Sequence, residues 1–176
     1  NLNSARASYF HKSIGGYHAA KPRKLQQIFE YQLAKNNMDV LNMLNVKYVI
    51  QSDENGQPVP TLNNQANGNA WFVSKVRIAN SADEEMKALN KLDTKNSVVI
   101  NKAKFPDAVT KTTFVKDSTA TIVLNQYKPN YLKYTSNNTS KGLAVFSEIY
   151  YPKGWNVTID GQKAEHFRVN YTLRGM

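Results

Sequence analysis

Apolar residues recur at helical spacing only in the first half of the chain; elsewhere they alternate with polar ones or form short continuous runs. In KPRKLQQIFEYQLAKNN, Leu25, Ile28, Phe29 and Leu33 share one helical face, Pro22 sits where a first turn tolerates it, and Asn36-Asn37 signal a stop. Asp39 then predicts the cap of a short second helix carrying Val40, Leu41 and Leu44. A third helix is predicted near 81–92, in SADEEMKALNKL: Ser81 and Glu84 have capping-box spacing, and Met86 and Leu89 supply the buried stripe. Glu84 and Glu85 belong to its first turn and answer the helix dipole.

The remaining runs read as strands: VKYVI, AWFVSKVRI, SVVI, TATIVL, YLKY, LAVFSEIYY, WNVTI and AEHFRVNYTL. QSDENGQPVPTLNNQANGN reads as loop, with Asn55-Gly56 as a hairpin turn. Trp155, Val157 and Ile159 alternate with Asn156, Thr158 and Asp160, and Asp160-Gly161 supplies the positive φ angles of a type I′ turn. Alternation then resumes through Glu165, Phe167, Val169 and Tyr171. The pattern predicts an α+β fold: an antiparallel β-sandwich, jelly-roll or galactose-binding-like, with two or three helices mainly in the N-terminal half. A helical segment, 1–45, would pack on the sheet of a mainly β part, 46–176, as a single structural unit.

Composition narrows the function classes. Apolar residues make up 41% and charged residues 20% of the 176, ordinary globular usage. Cysteine is absent, which excludes a disulfide framework, a thiol nucleophile and a Cys-based zinc site. No apolar run reaches the roughly 18 residues a spanning helix needs, and the start carries no charged-then-apolar leader pattern. Because the chain starts at Asn1 and ends within an alternating pattern, it is expected to be a piece of a longer protein.

The net charge of +10 invites a nucleic-acid reading, but the cations from Lys75 to Lys163 are mostly single lysines without an RNP, helix-turn-helix or Arg-rich signature. No nucleic-acid partner is therefore assigned. One asymmetry is sharper. From Asn1 to Phe29 there is no acid, while Arg6, His11, Lys12, His18, Lys21, Arg23 and Lys24 all lie there. Such a segment attracts anions. Within it, SIGGYH brings Gly15, Gly16 and Tyr17 beside the cations; its paired glycines could let backbone amides approach a phosphate, yet it lacks the Lys-Ser/Thr of a P-loop, and a tight turn is the ordinary use of two glycines.

No catalytic residue, metal or cofactor is assigned. His11 and His18 have no neighbouring carboxylate or thiolate, Ser4, Ser8 and Ser13 have no activating acid, and no carboxylate pair is spaced for acid–base work. Glu148 falls on a strand, where pairing with a lysine is its ordinary use. Tyr150, Tyr151 and Trp155 could stack a sugar ring if exposed, although a tryptophan after Pro152 and Gly154 more often anchors a core.

Five motifs in one order, YFHKSIGGYHAAKPRKLQ, VLNMLNVKYVI, GNAWFV, YKPNYLKY and GLAVFSEIYYPKGWNVTIDGQ, resemble the extracytoplasmic C-terminal region of the YfhO family of bacterial multi-spanning membrane proteins. The resemblance spans nearly the whole chain. It implies a parent similar to GT-C glycosyltransferases, which take sugar from a lipid-phosphate carrier and modify cell-envelope polymers, with the catalytic acid in an early membrane loop outside this chain. The expected partners are the membrane-embedded remainder of the same chain, lipid-linked sugar or envelope glycan, and an anionic membrane surface. The family's pattern continues past RVNYTLRGM into a further strand, so the resemblance implies either a sheet edge beside Met176 or a separate strand occupying it.

Three functions follow as expectations. The chain is a non-catalytic accessory domain on the extracytoplasmic side of the cytoplasmic membrane, with Arg6, His11, Lys12, Gly15, Gly16, Tyr17, His18 and Lys24 as contacts to lipid phosphate or another anion. Alternatively it braces membrane helices, or it is a carbohydrate-binding module using Tyr150, Tyr151 and Trp155.

Overall fold

The computed structural model describes residues 5–17 and 20–176. The fold is α+β with mainly antiparallel sheets, and its helices lie mainly in the N-terminal half. These are α1 (Ala5–Phe10), α2 (Arg23–Tyr31), α3 (Met38–Met43) and α4 (Ala82–Ala88). The stripe of α2 is buried at Ile28 and Phe29, and a 3-10 turn over Leu33–Lys35 extends it to Asn36, which takes the left-handed conformation at φ 58°. Asn37, not Asp39, caps α3: its side chain accepts from the Val40 N–H, which places Asp39 inside the first turn. Ser81 caps α4 as expected, accepting from the Glu84 N–H.

Twelve strands follow, β1 (Tyr48–Ser52), β2 (Pro58–Leu62), β3 (Ala70–Val73), β4 (Lys75–Ala79), β5 (Ser97–Asn101), β6 (Thr121–Lys128), β7 (Tyr131–Asn137), β8 (Leu143–Ile149), β9 (Val157–Ile159), β10 (Gln162–Ala164), β11 (Phe167–Val169) and β12 (Leu173–Gly175), among the described residues. The central sheet runs β11-β12-β8-β3, all antiparallel. Alternation gives it two buried faces. Trp71, Val73, Leu143, Val145 and Leu173 point into the main core with α2, α3, α4 and β5. Ala70, Phe72, Ala144, Phe146 and Met176 point the other way, where Ile122 of β6 and Tyr134 of β7 cover them. A sandwich results, with the β6–β7 hairpin as its second layer.

Several predicted strands divide. AWFVSKVRI breaks at Ser74, where the Ser74 and Lys75 N–H groups both donate to the Asn96 carbonyl; β3 stays antiparallel to β8 while β4 turns to run parallel to β5. The helix α4 makes the β4–β5 crossover, a βαβ unit inside an otherwise antiparallel fold. The stretch read as a loop after Ser52 contains β2, and the β1–β2 connection is the five residues 53–57, in which Gly56 alone takes positive φ. The Asp160-Gly161 turn joins β9 to β10 as expected, with φ of 50° and 80°.

AEHFRVNYTL also divides, at Asn170 and Tyr171, whose φ angles are 48° and 69°. Asn tolerates this conformation. Its main-chain N–H donates to the Val99 carbonyl and its Oδ1 accepts from the Val99 N–H, both at 2.9 Å, so one residue stitches the central sheet to β5. The reversal sends β12 back between β11 and β8, and Met176 exchanges hydrogen bonds with Ala144. Of the two arrangements expected beside Met176, an open edge or a strand occupying it, the structure shows the second: β12 lies inside the sheet between β11 and β8, and the outer strands are β11 and β3.

Candidate functional site

The acid-free segment folds as α1 followed by an extended stretch that returns to α2. Tyr9, Phe10 and Tyr17 are 83%, 70% and 78% exposed, and Tyr9 and Phe10 stack edge to face at 4.8 Å. Three large aromatics held in water have no packing role in this fold. His11 and Lys12 are exposed beside them. Gly15 and Gly16 are buried; Gly16 has φ of 130°, and the Gly15 N–H donates to Ser13 Oγ, so this pair serves the turn of the chain. His18 lies outside the described residues, as does the side chain of Arg6 in α1.

The cations of the segment take two directions. Lys12 reaches the β6–β7 hairpin and sets its ammonium 3.7 Å from the Tyr127 ring centroid. Beside it opens a groove of about 720 Å³, lined by Ser13, Tyr17, Lys21, Tyr127 and Glu148 on its polar side. Lys24 instead turns inward, 3.8 Å from the Tyr171 ring centroid, and its pKa is lowered by burial and then by the Arg168 charge. Lys24 thus serves the packing of the Asn170–Thr172 turn, while Lys21 lines the open groove and Lys12 lies on Tyr127, one of its lining residues.

Behind the groove lies a polar cluster on the second face of the central sheet. Arg174 and Phe146 are cross-strand partners; Arg174 is 6% exposed and lies 4.8 Å from the Trp155 ring centroid. Among the described residues its one acceptor is the Ile149 carbonyl at 3.5 Å, and its Nε has no partner. Burial pushes the Glu148 carboxyl above its usual range, with Arg174 and Lys12 pulling the other way. Burial also raises the Tyr134 hydroxyl, and lowers His166, to which Arg174 contributes. The expectation of a Lys partner for Glu148 meets a different arrangement: Arg174 and Lys12 are its nearest influences, and neither forms an ion pair with it.

The three sugar-stacking candidates differ in exposure and in partners. Tyr150 packs edge-on against Phe105 at 5.6 Å and tilts over His166. Tyr151 is 58% exposed. Trp155 is half-buried, and the Arg174 guanidinium lies over its ring.

Glu85 stands in the first turn of α4 as expected, and it has a further use there. It is fully buried, because it lies three and four residues before Ala88 and Leu89 on the inner face of α4. One carboxylate oxygen accepts from Arg168 at 2.9 Å, the other from the Tyr171 N–H at 2.9 Å. The signal that could have found it was this i, i+3, i+4 spacing. For Arg174 the signal was a cation set among apolar strand residues in TLRGM.

Among the described residues no group of three or more His, Asp or Glu side chains converges as metal ligands, and no helix is long and apolar enough to cross a membrane. What the site offers is cationic charge, exposed aromatic rings and one desolvated carboxyl group. The sign of its pH dependence follows from Glu148. A carboxyl whose folded pKa exceeds its unfolded value of 4.5 contributes stability while protonated and loses it as pH rises through the folded pKa. Glu148→Gln is therefore expected to raise Tm at neutral pH, with the gain vanishing below pH 4.5, in melts recorded across that range.

No family model, curated protein or solved structure matches the chain. The α+β sandwich defines its class by architecture, and its function is argued from the site.

Proposed function

We propose that this chain is a non-catalytic accessory domain of a membrane glycosyltransferase acting on cell-envelope polymers, and that its N-terminal segment lies against the anionic surface of the bilayer on the extracytoplasmic side. One observation carries the docking: Tyr9, Phe10 and Tyr17 stand exposed in a segment that holds Lys12, Lys21, Arg23 and Lys24 and no acid before Glu30. Aromatic rings settle at the headgroup level of a membrane, where an apolar body and a polar tip are both satisfied. Basic side chains add about 1 kcal/mol each near an anionic surface. The glycosyltransferase context rests on the resemblance of the five motifs.

The groove beside Lys12 and Lys21 gives a lipid phosphate or an acceptor glycan a place next to that surface. A free-standing sugar-binding module has less support, since the Arg174 guanidinium covers the Trp155 ring.

Sedimentation with vesicles tests the reading. The chain is expected to pellet with phosphatidylglycerol vesicles and not with phosphatidylcholine vesicles, and to be released as salt shortens the screening length below about 8 Å. Equal binding to both lipids, or to neither, would sink it.

A further inference from the structure

The β1–β2 ribbon projects from the fold with every residue of β2 exposed and every residue of β1 exposed except the half-buried Val49. It is held at its base, where Asn63 Nδ2 donates to Asn42 Oδ1 and to the Val46 carbonyl. An isolated two-stranded ribbon is marginal in water. Its two edges are unlike.

The Asn63 N–H donates to the Lys47 carbonyl at 2.8 Å, and the Asp53 N–H donates to the Gln57 carbonyl at 2.9 Å. Both lie on the register that sets Tyr48 against Leu62 and Ile50 against Pro60. Antiparallel ladders alternate bonded and non-bonded pairs, so Val49/Thr61 and Gln51/Val59 are bonded inward. The main-chain groups of Tyr48, Ile50 and Ser52 then point out of the β1 edge, and those of Pro58, Pro60 and Leu62 out of the β2 edge. Pro58 and Pro60 have no N–H, which disarms the β2 edge. On β1 every outward position keeps donor and acceptor, and among the described residues no third strand pairs with them.

We infer that the β1 edge is a self-association surface, pairing antiparallel with β1 of a second copy about a two-fold axis at Ile50 to give a continuous four-stranded sheet. In that register each Ile50 faces its counterpart, and Tyr48 faces Ser52 of the second copy, so every outward donor meets an acceptor. Lys47 comes opposite Asp53 of the second copy at both ends, which supplies charge complementarity, and no charge lies between Tyr48 and Ser52 to oppose the pairing. A two-residue slip loses the Lys47–Asp53 match, and a one-residue slip turns the wrong main-chain groups outward. The pairing also joins the exposed strips of Tyr48, Ile50 and Leu62, which are 60%, 56% and 55% exposed. The bilayer is a poor alternative occupant, because Asp53 and Glu54 at the ribbon tip would be driven toward an anionic surface.

Sedimentation equilibrium over a wide concentration range tests this. The unmodified chain is expected to dimerise reversibly, while Ile50→Lys, which sets like charges face to face on the axis, is expected to be monomeric with unchanged circular dichroism. Because the chain lacks cysteine, Ile50→Cys gives a second readout that does not depend on that variant folding. The Cα separation in a bonded antiparallel pair, about 5.5 Å, permits a disulfide, so Ile50→Cys should cross-link on oxidation much faster than Thr61→Cys. A chain that is monomeric throughout, a folded Ile50→Lys dimer, or equal cross-linking at the two positions would overturn the inference. So would a monomer whose β1 amides gain exchange protection only when vesicles are added.

Discussion

Glu85→Ala is expected to destabilise the fold by about 3–5 kcal/mol, measured as a fall in denaturant midpoint at constant m-value. The carboxylate is fully buried and, among the described residues, is the hydrogen-bond acceptor of both the Arg168 guanidinium and the Tyr171 N–H. Its removal leaves a cation in a site that is only slightly exposed, with Arg168 Nε already lacking a partner. It also releases Tyr171, an aromatic residue at φ 69° whose hydroxyl donates to Gln27. A positive φ at such a residue is held by its surroundings. Replacing both partners of the pair by apolar residues, Glu85→Leu with Arg168→Met, is expected to cost less than either single change, since no buried charge is then stranded. A double variant as damaged as the sum of its parts would mean that the pair acts through shape alone.

The second large effect falls on binding. Lys12→Ala, Lys21→Ala and Arg23→Ala together are expected to weaken partitioning onto phosphatidylglycerol vesicles by about 3 kcal/mol, roughly two orders of magnitude. Stability should change less than binding, because Arg23 is exposed and Lys12 and Lys21 contribute only cation–π contacts to Tyr127 and Phe29, 3.7 and 4.9 Å from the ring centroids and worth about 0.5–1 kcal/mol each at such sites. Lys24→Ala separates the two uses of charge in the segment. Lys24 rests on Tyr171 beside Arg168, so its loss should lower Tm more than it lowers vesicle affinity. The reverse outcome would place Lys24 at the bilayer and move the docking face toward α4.

The periodic part of this fold was legible from the residues. The α2 stripe, the Ser81 cap and the Asp160-Gly161 hairpin follow from local spacing and turn chemistry, and each stands where the pattern put it. What the pattern missed depends on distant partners. Ser74 breaks a continuous β-rich run because Asn96 captures two successive N–H groups, and nothing within AWFVSKVRI marks that break. Asn170 and Tyr171 reverse the chain without a glycine, held by Val99 and Glu85 from elsewhere in the sequence. That reversal also put β12 inside the sheet, between β11 and β8.

The candidate site divides in the same way. Its charge asymmetry can be read directly, since the first acid is Glu30. Which cations stay outside cannot: Lys12 and Lys24 look alike in sequence, and the tertiary positions of Tyr127 and Tyr171 decide their different uses. Glu148 and Arg174 sit in separate strands and meet only because Phe146, two residues before Glu148, is the cross-strand partner of Arg174.

Docking by the N-terminal segment requires that its exposed face be the surface that meets the membrane. Because the chain has no cysteine, a polarity-sensitive fluorophore can be placed uniquely at the exposed position His11 through His11→Cys, and in a second preparation on the β9–β10 hairpin through Lys163→Cys. On addition of phosphatidylglycerol vesicles the emission at position 11 is expected to shift to the blue while that at 163 stays put, with neither responding to phosphatidylcholine. A label at 163 that enters the apolar phase while the one at 11 remains in water would contradict it.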